Sequence, residues 1–139
     1  MSEVRWRLHL ASPPETVWEL LATDRGRSRF WAESADERGG SIEFVFPNGD
    51  RHEGRVVEAS PPRRYAVEYF GSPARFDLAH DGFGGTDLRL VHDVPDEWHA
   101  EVNAGWVSVL MALKAAADHG VDLRNHDDAR TWSQGYCDN

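Results

Sequence analysis

Val4, Trp6, Leu8 and Leu10 alternate with Arg5, Arg7 and His9, which predicts a half-buried strand. The alternation stops at Ser12-Pro13-Pro14-Glu15, where Ser12 is placed to cap a helix, Pro13 to open it and Glu15 to close a capping box. Val17, Leu20 and Leu21 then share a helical face that Trp18 widens, and the pattern ends near Ala22, before a charged stretch from Asp24 to Arg29. Phe30-Trp31 re-enters the core, on a second short helix. From Gly39-Gly40 onward, β-rich runs alternate with turn clusters, predicting five strands at residues 41–46, 51–59, 64–70, 74–80 and 86–93. Ile42, Phe44 and Phe46 share one face, as do Tyr65, Val67 and Tyr69, then Phe76 and Leu78, then Leu88 and Leu90. Periodicity leaves the face of the run around Arg55-Val56-Val57 open. After Pro95, Asp96 is placed to cap a long helix in which Trp98, Val102, Trp106, Val109, Leu113 and Ala116 or Ala117 form one stripe, and Gly120 ends it. The pattern is α+β: about six antiparallel strands, one or two short helices after the first, and a long C-terminal helix. Residues 1–120 make one domain, and 121–139 form a polar tail that docks on it or on a second subunit.

That order of elements is the order of the helix-grip fold, in which a curved sheet wraps the last helix. The resemblance becomes specific at Ala11-Ser12-Pro13-Pro14-Glu15-Thr16-Val17-Trp18, at Phe30-Trp31, at Gly54-Arg55-Val56-Val57-Glu58-Ala59-Ser60-Pro61-Pro62-Arg63-Arg64, and at Gly105-Trp106 with Leu110 to Lys114. With these pieces the chain resembles the START/SRPBCC superfamily, and within it the family similar to the C-terminal domain of the heat-shock-90 ATPase activator. The resemblance covers most of residues 4 to 117 and implies a helix-grip domain. Relatives implied by the wider superfamily include polyketide cyclases, lipid carriers and hormone receptors, so fold carries over and activity does not.

Composition narrows the setting. Fifteen basic against 24 acidic residues leave a formal net charge of -9, and no basic run exceeds Arg63-Arg64, which argues against nucleic acid as a partner. No apolar stretch reaches about 18 residues and no charged-then-apolar leader follows Met1, so a cytoplasmic protein without membrane contact is expected. The single cysteine, Cys137, excludes an internal disulfide.

A helix-grip domain either fills the space between sheet and helix or leaves an apolar cavity there. Tyr65, Tyr69, His80 and His92 fall on inward parity, and His52 joins them if its strand is so turned. Each alone also fits a strand residue that reaches solvent or a backbone partner. The large rings make Trp18, Phe44, His52, Tyr69, Phe76, His92 and Trp106 the expected lining of a ligand site, with Trp106 facing Phe44 and Phe76 across the cavity. The expected occupant is a small hydrophobic or aromatic molecule, with no cofactor and no metal, since His80 and His92 lie too far apart along their hairpin and His119 and His126, with Asp122 and Asp127, form no HExxH or cysteine-pair motif in a polar tail. Cys137 lacks a base and no GxSxG elbow exists, so catalytic residues stay unassigned. A cyclase- or hydratase-like enzyme would use His92, His52, Glu33, Glu68 or Asp77 for proton transfer. A co-chaperone-like interaction domain would use the outer sheet face and acidic surface. Trp132 and Tyr136 in the tail suggest either a cover for the cavity mouth or a homodimer through the tail or a sheet edge.

Overall fold

The period-two runs form the strands of one antiparallel sheet in a computed structural model that describes all residues, Met1–Asn139. In chain order the elements are β1 (Ser2–Leu10), α1 (Pro14–Ala22), α2 (Asp24–Arg27), β2 (Ser34–Arg38), β3 (Ser41–Val45), β4 (Arg51–Ser60), β5 (Arg64–Tyr69), β6 (Ser72–His80), β7 (Thr86–Val94) and α3 (His99–His119). The sheet has seven strands in the order β1-β7-β6-β5-β4-β3-β2, so a meander from β2 to β7 is closed by β1 pairing back on β7. The long helix α3 packs across its inner face, giving the helix-grip architecture.

Seven strands replace the six of the sequence reading because β2 carries almost no hydrophobic signal. In Ser34-Ala35-Asp36-Glu37-Arg38 only Ala35 is buried, and backbone pairing with β3 holds the strand. Elsewhere parity decides burial: Ile42, Phe44, Tyr65, Val67, Phe76, Leu78, Leu88 and Leu90 all point inward. The open face of β4 resolves with His52, Gly54 and Val56 inward and Val57 exposed, and a register shift follows between Val56 and Glu58. A bulge of this kind bends its strand, and Gly54 sits where a Cβ would lie 2.0 Å from Glu68 O. His80, expected inward, is exposed at the end of β6.

Two expected caps are used differently. The N-cap of α1 is Pro13, without a side-chain bond, because Ser12 Oγ lies 2.7 Å from Ala117 O and 2.8 Å from Asp118 Oδ1 at the far end of α3. The Asp118 carboxylate also accepts the Ala11 and Ser12 N–H groups at 3.0 Å. Burial pushes its pKa up, but those N–H groups, the Ser12 hydroxyl and Lys114 overcome burial and draw it down to about 2. Asp96 opens a short 3-10 turn, Asp96–Trp98, and its carboxylate binds the Ser2 hydroxyl, so α3 starts only at His99. Trp98 therefore leaves the expected stripe and is half-exposed, while Trp106, Leu110, Leu113 and Ala116 form the buried face. Gly120 ends α3 in the left-handed conformation, φ 63°.

Both outer strands are met by helix side chains. On β1, Glu3 O lies 3.1 Å from His99 Nε2, His9 O accepts Lys114 Nζ at 2.5 Å, and the Trp6 indole donates to Asn103 at 2.7 Å. On β2, Ala35 O accepts Arg27 Nε at 3.0 Å and Glu37 N–H donates to Asp24 at 2.9 Å.

Candidate functional site

The ring-bearing positions converge on a residue outside the expected lining. Trp31 lies just beyond α2, where its N–H donates to Arg27 O at 2.8 Å and turns the chain inward. The Phe30-Trp31 pair thus follows the second short helix instead of riding on it. Around the Trp31 ring stand Phe44 at 5.1 Å, Tyr69 at 5.5 Å, Phe76 at 5.6 Å, Trp106 at 5.8 Å and Phe30 at 5.9 Å between centroids. Trp106 touches Phe76 and Tyr69, but Trp31 stands between it and Phe44. The space expected to lie open between sheet and helix is filled by this indole. Its Nε1–H is buried and makes no well-formed hydrogen bond, with the Tyr69 hydroxyl the nearby oxygen that partly meets it.

Trp106 is placed differently. Its indole N–H donates to His92 Nδ1 at 2.9 Å, and His92 Nε2 lies 2.8 Å from Tyr69 O. An indole only donates, so Nδ1 must accept and Nε2 must carry the proton: the ring is a neutral bridge from α3 to the end of β5. Burial lowers its pKa, against the pull of the Tyr69 and Ser72 backbone. Both nitrogens are committed, which removes His92 as a proton-transfer group. Tyr69 is pushed well above the ordinary phenol range by burial, so it remains a neutral hydroxyl.

From this centre the rings continue to the surface. Phe44 stacks on Phe46 at 6.2 Å, Phe46 on Phe70 at 6.1 Å, and Phe70 on His52 at 4.5 Å. His52 Nε2 accepts the Phe70 N–H at 3.1 Å, and burial lowers the pKa of this ring too. Phe46 and Pro47 then line an open cleft of about 600 Å³ with Glu33, Gly49, His126, Asp127 and Asp128. Nothing in the sequence pattern marked this cleft, because the tail that builds one wall carries no periodic signal.

Trp18 does not belong to this group. It meets Tyr65 edge-on at 5.5 Å, beside a fully buried arginine that the charged stretch concealed. Arg27 donates to Ala35 O at 3.0 Å, Leu21 O at 3.2 Å, Tyr65 Oη at 3.3 Å and Asp24 Oδ1 at 2.5 Å. Burial pushes the Tyr65 hydroxyl up to about 12, although Arg27 opposes it. Among the other proton-transfer candidates, Asp77 pairs with Arg64 at 2.6 Å, Glu68 is exposed and Glu33 is taken by His126. No group of three or more His, Cys, Asp or Glu side chains is arranged to hold a metal ion, and no helix is long and apolar enough to cross a membrane.

The family model described as "Activator of Hsp90 ATPase homolog 1-like protein" matches residues 11–118. No curated protein matches the sequence. The fold is similar to the solution structure of the Aha1 dimer from Colwellia psychrerythraea, with a TM-score of 0.74 and 24% identity over 86% of this chain and 98% of that one. It is similar to CalU16 from Micromonospora echinospora, with a TM-score of 0.63 and 27% identity over 78% of this chain and 71% of that one. DynU16, from the dynemicin biosynthetic locus, is similar with a TM-score of 0.73 and 19% identity over 88% of this chain and 49% of that one, which is a likeness of fold.

Proposed function

The chain belongs to the activator of Hsp90 ATPase homolog 1-like family, and from that premise we propose that it is a cytoplasmic binding protein for a small hydrophobic or aromatic molecule held between the sheet and α3. One observation carries this reading: the Trp31 indole N–H is buried among five rings and makes no well-formed hydrogen bond, the Tyr69 hydroxyl beside it standing outside good geometry. A buried donor left unpaired costs about 1–3 kcal/mol, and a ligand oxygen beside Nε1 would remove that cost. The surrounding rings suit a planar ligand, and the stack through Phe44 and Phe46 leads from Trp31 to the open cleft. Because rings fill the interior, a ligand enters only if the Trp31 segment or the Phe46–Phe70 rim gives way. An enzyme of the cyclase or hydratase kind has less support, since His92 is locked as a neutral bridge.

Native mass spectrometry of protein purified from its host tests the reading, together with titration by Nile red, a planar fluorophore with a carbonyl acceptor. The expected result is a co-purifying small molecule, or saturable Nile red binding that Trp31→Phe weakens about tenfold, roughly 1.4 kcal/mol. A clean apo mass with no saturable uptake would sink it. The weight would then pass to the protein-interaction reading, which the filled interior favours, and the subunit count would report on a homodimer like that named for the Colwellia protein.

A further inference from the structure

The segment that carries Trp31 is gripped from outside by the tail, beyond the residues that the family model covers. Arg124 is largely buried and donates to Ser28 O at 2.7 Å and Ala32 O at 2.8 Å, so its guanidinium straddles Trp31 along the chain. Asp122 holds that guanidinium in a fork, at 3.0 Å from both Nε and Nη2. One residue past the segment, Glu33 Oε1 lies 2.8 Å from His126 Nδ1, and the other ring nitrogen lies 2.7 Å from Asp122 Oδ2. His126 holds this position with φ 52°, in the left-handed region.

A ring with a carboxylate on each nitrogen is satisfied only when both nitrogens carry protons. Once neutral, it presents a lone pair to one carboxylate, and that contact turns from attraction to repulsion. We propose that residues 122–131 form a proton-dependent brace on the Trp31 segment, with the His126 imidazolium as its pin and Arg124 as its fixed anchor. Losing the pin frees Glu33 and the tail wall of the cleft while Arg124 keeps the tail tethered. The inference rests on the ligand reading for its purpose, since it loosens the cleft wall that faces Phe46, at the rim a ligand has to pass.

The groups around His126 set the sign. Glu33 faces it from the bend just before β2, and Asp122 faces it from the tail, with Arg124 behind Asp122. Asp127 and Asp128 line the same cleft, Asp127 being paired with Arg130. The bond to Asp122 raises the His126 pKa most, burial opposes it, and Glu33 adds to the rise. A group whose folded pKa is raised contributes its stabilisation fully below the unfolded value, about 6.5, and loses it as pH rises through the folded value. The brace is therefore closed below about pH 6.5 and opens as pH rises through the raised value of His126.

Amide exchange of the ligand-free full chain tests this, followed from about pH 6 to about pH 9 beside NMR titration of the His126 ring. After correction for the intrinsic rise of exchange with pH, Glu33 and residues 125–131 should exchange about tenfold faster once His126 is neutral, while residues 28–32, held by Arg124, change least. His126→Ala should exchange at that faster rate at every pH, and Glu33→Gln should shift the transition to lower pH. Protection that stays constant while the ring titrates would overturn the brace, and so would wild-type protection in a folded His126→Ala protein at low pH. Because these readings use no ligand, failure of Nile red to bind at any pH would count against the ligand reading alone.

Discussion

Arg27 and Trp31 lie on one short stretch of chain, and both are buried, yet their polar atoms are met in opposite ways. The Arg27 guanidinium makes four hydrogen bonds, tying α1, α2, β2 and β5 together through Leu21, Asp24, Ala35 and Tyr65. The Trp31 indole, set among the rings, is left with a donor that makes no well-formed hydrogen bond. The lesson is that burial alone does not mark a site. A saturated buried charge behaves as frame, because every displacement costs a bond, whereas an unsaturated donor in an apolar setting leaves something for a ligand to supply.

Four measurements would break or sharpen that contrast. Arg27→Ala should have the largest effect, about 3–5 kcal/mol in urea unfolding, since it strands the Tyr65 hydroxyl and two carbonyls in the interior and leaves a large cavity; a loss below about 1 kcal/mol would remove the frame from the comparison. Trp106→Phe comes next at about 2–3 kcal/mol, because it leaves His92 Nδ1 without its donor as well as leaving a gap. Trp31→Phe should cost only about 1 kcal/mol, the lost packing being partly offset by removal of a poorly paired N–H. If it costs as much as Trp106→Phe, the two indoles are equivalent and Trp31 is ordinary core.

The smallest effect is a pH slope. His92 and His52 have pKa values lowered by burial, so the unfolded chain binds more protons than the folded one below about pH 6.5. Stability should therefore fall as pH drops from about 6.5 towards their folded values. A His52→Gln, His92→Gln double variant should flatten that limb in urea midpoints, while the change assigned to His126, at higher pH, persists.

The sequence disclosed elements whose information is local. Strands with strict alternation, such as Tyr65-Val67-Tyr69, and the helix stop at Gly120 follow from residue pattern and backbone freedom. It misled where a distant partner competed for a local group: Ser12 looks like a cap until Asp118 arrives from the other end of the chain. β2 was illegible because an outer strand needs only one buried side chain, Ala35. For the candidate site, Phe44, Tyr69, Phe76 and Trp106 were readable as inward rings, but the central position of Trp31 depends on how the chain leaves α2, which no periodicity records. Arg27 and the His126 clamp were hidden for a related reason, since a charged residue in a polar stretch reads as solvated until its partners are seen.

The helix side chains that meet the outer strands constrain how copies of this protein could associate. An unprotected strand edge invites another chain to extend the sheet by adding a strand of its own. Here His99 and Lys114 occupy carbonyls along β1, and Arg27 and Asp24 occupy the exposed backbone of β2. Strand addition at either border would first have to strip away α3 or the buried guanidinium. A second copy meets less resistance at the half-exposed Trp132 and Tyr136 of the tail, so growth of this sheet into a continuous ribbon is blocked by the same contacts that hold the helices in place.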